Sequence, residues 1–265
     1  MKEMAVLVCS CDKYQSAWQP MFELFFKFWH DCPYGVYLMT NNAVFVHDRV
    51  TTVCTGDDVS WSKAFKKALE FLKEKYVLVI MEDYLLQAKV KNEDFDLVLD
   101  YIKKNDTDCF RIFPTPPPDE KYGHFGEFMT GIMDKNASYR VSLQAGIWKR
   151  AYLLSLIDES ESAWQFEHRG SKRSSEDGSK FMGIWEKSPR LIFDYYCTGI
   201  IQGYWIKEAV ELCRKNGIEV NMSVIKAEPF RVRIKRLMMC QYLEFPRKLF
   251  RKTKWYDSYR NRKYS

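Results

Sequence analysis

The chain has 265 residues, 46% apolar and 16% aromatic, which excludes a disordered segment and allows one large α/β domain with a packed core. Its net charge of +6 is uneven: residues 231–265 hold twelve Lys/Arg and two Asp/Glu, leaving 29 basic against 33 acidic residues elsewhere. A mildly acidic body excludes a nucleic-acid-binding one, and no apolar run reaches the ~20 residues that span a bilayer.

Met4–Cys9 is a continuous apolar run of strand length, followed by the polar Ser10–Gln15 and a helical pattern over Trp18–Trp29. Val36–Met39 predicts a second strand ending at Thr40-Asn41-Asn42, and Val44–His47 and Thr51–Cys54 predict short strands beside it. Ser60 is placed to cap a helix over Lys63–Lys73, on which Phe65, Leu69 and Leu72 share a face. Tyr76–Ile80 is apolar throughout, as buried parallel strands are, and runs into Met81-Glu82-Asp83-Tyr84.

Phe95–Lys103 predicts a helix, Asp108–Phe113 a strand, and the proline-rich Pro114–Tyr122 a loop or lid. Tyr139–Trp148 predicts a strand, Arg150–Ile157 a helix, Ser160–Gly178 a polar mobile stretch, and Leu191–Tyr196 another strand. Lys207–Asn216 predicts a helix closed by Gly217. Strands alternating with helices make a Rossmann-like, mostly parallel sheet flanked by helices, in which ligands bind at the carboxyl ends of strands. The expected organisation is a domain over 1–228 and a basic amphipathic C-terminal helical tail over 229–265.

The eight cysteines are scattered and form no CxxC pair. This predicts free thiols in a reducing compartment and no zinc site. No signal-peptide pattern is visible at the start, so a cytoplasmic location is expected.

Glu82-Asp83 is the sharpest chemical feature. Two carboxylates at the end of a hydrophobic strand are costly without a partner. A hard divalent cation, Mg²⁺ or Mn²⁺, is one such partner, because it takes carboxylate oxygens together with substrate phosphate oxygens. The alternative is an acidic turn that caps or forms salt bridges.

The order of strand, SCDKY loop, helix, strand ending TNN, WSKAF helix and VLVIMEDYLL resembles bacterial glycosyltransferases of the GT-A fold that build capsule, O-antigen or other cell-envelope polysaccharides. The resemblance implies a nucleotide-sugar donor, by analogy linked to uridine diphosphate. It also implies a divalent metal held by an acidic motif after a strand. Here that motif is Glu82-Asp83, as Glu-Asp-Tyr in place of Asp-x-Asp, with Asp83 the stronger metal ligand. It further implies that Ser10, Asp12 and Tyr14 bind base and ribose, with Trp61 and Lys63 facing the donor; each is also explained as a turn or solvated residue.

In the second half, SLQAGIWKRAYL and SAWQFE resemble the same group. An inverting member needs a carboxylate that takes the acceptor hydroxyl proton directly or through one water. Glu167 is the first candidate, with Glu161 and Glu159 behind it. Gln144, Trp148 and Trp164 are candidates for the acceptor side, although Trp148 also suits a core. His168-Arg169 and Lys172-Arg173 read as an exposed basic stretch or as diphosphate contacts. The two glycines of YCTGIIQGYW let backbone approach the donor, the base loop or simply a packed neighbour.

In the tail, Phe230, Ile234, Leu237, Met238, Tyr242 and Phe245 recur at helical spacing among basic residues. This pattern fits an interfacial helix on an anionic membrane, where a lipid-linked acceptor would be met, and equally a helix packed on the body. The competing readings are a sugar-phosphate nucleotidyltransferase, disfavoured because SCDKYQ lacks a glycine-rich loop, and a non-catalytic membrane-associated binding protein.

Overall fold

The computed structural model describes residues 2–57, 60–196, 198–234 and 236. The first half alternates strand and helix: β1 (Met4–Cys9), α1 (Gln15–Phe28), β2 (Gly35–Thr40), β3 (Val50–Cys54), α2 (Trp61–Phe71) and β4 (Tyr76–Met81). The second half brings β5 (Leu85–Leu86), α3 (Asn92–Lys104), β6 (Cys109–Arg111), β7 (Glu120–Phe125), β8 (Phe128–Ile132), β9 (Gly146–Lys149), α4 (Arg150–Leu156), α5 (Ala163–Ser174) and β10 (Phe181–Ile184). It ends with β11 (Tyr195–Tyr196), β12 (Ile200–Ile201), β13 (Tyr204–Trp205), α6 (Lys207–Lys215) and β14 (Lys226–Ala227).

Nine strands form one sheet in the order β3-β2-β1-β4-β9-β6-β10-β8-β7. Only β9 and β8 run against the rest, since each is antiparallel to both of its neighbours. The α/β class, a mostly parallel sheet flanked by helices, is therefore the one the sequence predicts.

Alternation along β1 shows how the core divides. Met4, Val6 and Val8 face one apolar layer with α1, α3 and α6. Ala5, Leu7 and Cys9 face the other, with α2, α4 and α5. Both faces are covered, which is why YVLVIM of β4 has no polar alternation. The chain goes from β1 outward to β2 and β3, then returns across β1 to β4. The switch point of the sheet thus lies between the carboxyl ends of β1 and β4, where such folds open a ligand crevice.

Several local expectations differ from the structure. Val44–His47 lies outside the sheet; Thr52 Oγ1 bonds both the N–H (3.1 Å) and the carbonyl (3.0 Å) of Phe45, in place of a backbone ladder. Ser160–Gly178 is largely helical: α5 occupies most of it, started by a capping box between Ser162 and Gln165. The β7–β8 hairpin and β10 carry no clean sequence signal. Within Tyr139–Trp148 only residues 146–148 are strand, and β9 runs on to Lys149.

Of the basic tail, Lys235 and residues 237–265 lie outside the described residues. The portion before them is helical over 230–234. Arg236 is tied to Glu228 at 2.7 Å and to Glu208 of α6 at 2.8 Å.

Candidate functional site

Glu82 and Asp83 leave the carboxyl end of β4 beside the end of β1. Glu82 is 5% exposed, and its Oε2 is buried without a hydrogen-bond partner among the described residues. Burial, and then the charge of Asp83, push its carboxyl well above the usual range. Asp83 is held differently. Its Oδ2 accepts the Thr198 hydroxyl at 2.8 Å and the Gly199 and Ile200 N–H groups at 3.1 Å each. Burial raises its carboxyl too, opposed by these three donors.

Gly199 explains the approach. Its N–H also bonds the Asp83 carbonyl at 3.0 Å, and a Cβ there would meet that oxygen at 3.0 Å. The glycine flagged in YCTGIIQGYW therefore serves Asp83. Gln202 (φ 53°) and Gly203 (φ 77°) turn the β12–β13 hairpin just beyond.

The β1 loop supplies the other wall. Tyr14 packs its ring on the first core layer. Burial raises its phenol, and then the charges of Glu82, Cys11 and Asp83. Tyr14 thus lies within electrostatic range of the acidic pair. Ser10 and Asp12 hold the loop itself: Ser10 Oγ accepts Trp18 Nε1 at 2.7 Å, and the Asp12 carboxylate accepts the N–H groups of Asn41, Asn42 and Ala43 at 3.0–3.2 Å. Asp12 clasps the ends of β1 and β2 together, which commits its carboxylate to the scaffold.

The opposite wall is residues 142–145, just before β9. Glu167 Oε1 accepts Leu143 N–H at 2.7 Å and the Ser142 hydroxyl at 3.2 Å. Tyr84 donates to the Leu143 carbonyl at 3.2 Å and stacks on Tyr195 at 4.7 Å. Burial raises the Tyr84 phenol first, and the charges of Asp83, Glu167 and Glu82 add to it. Glu167 is therefore in the same electrostatic neighbourhood as the acidic pair. Gln144 Oε1 accepts the Tyr195 hydroxyl at 2.7 Å.

Five sequence-predicted residues are placed elsewhere. Glu161 is fully buried in a two-pronged ion pair with Arg173, at 2.7 and 2.8 Å, which leaves it no free oxygen for a hydroxyl proton. Trp148 is 2% exposed, on the core face of β9 and edge-on to Phe181 at 5.5 Å, so it cannot line an acceptor subsite. Trp61 stacks on Phe65 at 4.7 Å and leans on Phe166, as part of the α2–α5 packing. The charge of Lys63 acts on the exposed Glu159, whose carboxylate is paired with Lys66 at 2.6 Å. Trp164 is 66% exposed on the first turn of α5.

Thr198, Tyr84, Ser142 and Tyr195 join the site without having been singled out. Tyr84 was legible as the residue directly after the acidic pair; the other three depend on tertiary contacts.

No family model matches the sequence, and no curated protein matches it. Among solved structures, TarS 1-349 of S. aureus in complex with UDP is similar with a TM-score of 0.49 at 12% identity, over 80% of this chain and 64% of that one. A cytidylyltransferase from Leptospira borgpetersenii is similar with a TM-score of 0.44 at 10% identity, over 87% and 99%. The bifunctional IspDF from Campylobacter jejuni is similar with a TM-score of 0.41 at 16% identity, over 72% and 52%. The chain spans about half the length of IspDF and under two thirds of TarS 1-349.

Proposed function

We propose that the chain is a glycosyltransferase that moves a sugar from a nucleotide-diphosphate sugar, UDP-linked, to a hydroxyl of a glycan or lipid-linked acceptor in cell-envelope polysaccharide synthesis. One observation carries the reading: a buried carboxylate oxygen of Glu82 without a partner stands beside an oriented Asp83 at the switch point of the sheet. An orphaned charge of this kind costs stability unless a ligand completes it.

The residues fit a hard divalent cation. Three donors fix Asp83 Oδ2, and Oδ1 takes no hydrogen bond among the described residues, as hydrogen bonds orient metal-binding carboxylates elsewhere. Among the described residues no group of three or more His, Cys, Asp and Glu gathers as a metal cluster, so diphosphate oxygens and water would complete the shell. When bound, such an ion neutralises the leaving nucleoside diphosphate.

The chain's own residues do the rest. Tyr14 offers its ring and hydroxyl beside the pair, on the side of the β1 loop. Glu167, held by Ser142 and Leu143 on Oε1, is the proposed base for the acceptor hydroxyl, with inversion at the sugar carbon. Its oriented oxygen and half-buried position suit direct or water-relayed proton uptake. Glu161 has no place in this scheme.

Among the described residues no helix is long and apolar enough to cross a membrane. We assign the basic residues 231–263 to an anionic membrane surface, where a lipid-linked acceptor would be presented. Phe230 and Ile234, at 73% and 38% exposed, are apolar residues of the described part of that segment.

A thermal-shift screen of UDP, UDP-sugars and CTP with and without Mn²⁺ tests the reading, because a ligand specific to the folded chain raises its melting point. UDP-sugars with Mn²⁺ should stabilise the wild type, and Asp83→Asn should lose that gain. Stabilisation by CTP alone favours the nucleotidyltransferase reading instead. Glu167→Gln should keep donor binding and abolish transfer; unchanged transfer removes it as the base.

A further inference from the structure

We infer that Tyr195 is a positioning residue that aims the amide nitrogen of Gln144 at a hydroxyl oxygen of the donor sugar, so that the pair sets sugar recognition. This rests on the nucleotide-sugar reading above and adds a residue pair to it.

The geometry begins with a phenol that accepts one hydrogen bond and donates another. Tyr195 Oη accepts the Ala145 N–H at 3.1 Å and donates to Gln144 Oε1 at 2.7 Å. A phenol has one proton. That proton is directed to the Gln144 oxygen, which is the near atom of its amide. The amide nitrogen, with two N–H donors, then points the other way. It makes no hydrogen bond to any described residue, and Gln144 is half-buried.

The position of the amide is set by the sheet. β9 pairs antiparallel with β4 with Gly146 opposite Val79. Gln144 lies two residues before that paired stretch, and the carbonyl of its neighbour Leu143 takes the hydroxyl of Tyr84, the residue after Asp83. The segment is held from several sides. Tyr84 bonds the Leu143 carbonyl, Glu167 bonds the Leu143 N–H, Ser142 Oγ accepts the Gln144 N–H at 3.2 Å, and Ile112 donates to the Ala145 carbonyl at 3.0 Å. Tyr195 is fixed in turn by stacking on Tyr84 and by Phe113 at 4.4 Å.

A rigid neutral donor pair at the rim of an anionic metal and diphosphate site is suited to an uncharged oxygen. The sugar hydroxyls are the uncharged part of a nucleotide sugar, attached directly to the diphosphate. Rigid buried polar groups discriminate because a ligand lacking the matching group leaves them unpaired.

The test measures affinities of UDP, UDP-glucose, UDP-galactose and UDP-GlcNAc by titration calorimetry with Mn²⁺ for wild type, Gln144→Met and Tyr195→Phe. The expected wild type binds at least one UDP-sugar more tightly than UDP. Gln144→Met should lose about 5-fold or more of affinity for that sugar, the worth of one neutral hydrogen bond of ~1 kcal/mol, while UDP affinity stays within about 2-fold. Tyr195→Phe should show the same split, and the double variant should lose little more than Gln144→Met alone. A merely structural role for Tyr195 would weaken UDP and UDP-sugar alike, and that result overturns the inference. So does a wild type that gains nothing from any sugar, although UDP binding then keeps the nucleotide reading. A wild type that fails to bind UDP overturns the underlying reading.

Discussion

Replacing Glu82 by Gln should stabilise the ligand-free protein and weaken its function. Glu82 is buried with an unpartnered oxygen, and burial followed by the Asp83 charge raises its carboxyl. The folded chain therefore keeps the proton to higher pH than the unfolded chain. Its contribution is complete below the ordinary carboxylate range and is lost as pH rises toward the raised value. Gln has nearly the same shape and no charge to bury. Gln still leaves a polar atom there, so the gain is the avoided charge alone, and an unpaired buried charge costs more than the about 1–3 kcal/mol of a neutral group. At roughly 2–4 °C per kcal/mol for a chain of this size, the melting point of Glu82→Gln should exceed wild type by several degrees near pH 8. The gain should shrink near pH 5, where the wild-type side chain holds its proton. Differential scanning fluorimetry at the two pH values, with EDTA present, measures this directly. Adding Mn²⁺ and UDP should reverse the order, because only the wild type can use the carboxylate. A Glu82→Gln protein that is less stable than wild type at both pH values, or equally shifted at both, refutes the reasoning.

Other consequences follow from the same contacts. Arg173→Ala strips the fully buried Glu161 of both its donors. It should cost about 3–5 kcal/mol, read as a lower chemical-denaturation midpoint; a loss under about 1 kcal/mol contradicts the pairing. Trp148→Ala should cost about 3–5 kcal/mol as a large core truncation, whereas a Trp148 that lined a sugar subsite would lose binding with little change in stability. A chain ending at Arg236 should bind anionic phosphatidylserine vesicles more weakly than the full chain, with the difference largest at low salt. Equal binding at low salt removes the tail as the anchor.

Much of the first half was legible because its signals are local. The continuous apolar runs of β1 and β4 appear at the expected places, and Ser60 caps α2 by accepting Lys63 N–H at 3.1 Å. The position of Glu82-Asp83 at a strand end is a consequence of the same pattern. The second half was less legible. The Ser160–Gly178 stretch is rich in charge, and its helix is set by the Ser162–Gln165 capping box and by one buried stripe of Phe166, Gly170 and Ser174. A small apolar stripe on a polar helix reads as a loop until its partner, α2, is known. Trp148 and Glu161 show the same limit from the other side. An indole and a carboxylate in suggestive sequence contexts are consumed by packing and by an ion pair across 12 residues. Asp12 and Ser10 keep the predicted loop but spend their polar atoms on scaffold contacts, so only Tyr14 of that trio faces the acidic pair electrostatically.

Manganese binding followed by electron paramagnetic resonance tests the central claim most directly. Free Mn²⁺ gives a sharp signal that falls when the ion is bound. The wild type should deplete that signal in the presence of UDP, with UDP and Mn²⁺ each tightening the other by the same factor, and Asp83→Asn should restore the free-ion spectrum. Equal depletion by wild type and Asp83→Asn, or UDP affinity unchanged by EDTA, would contradict a metal held at Glu82-Asp83.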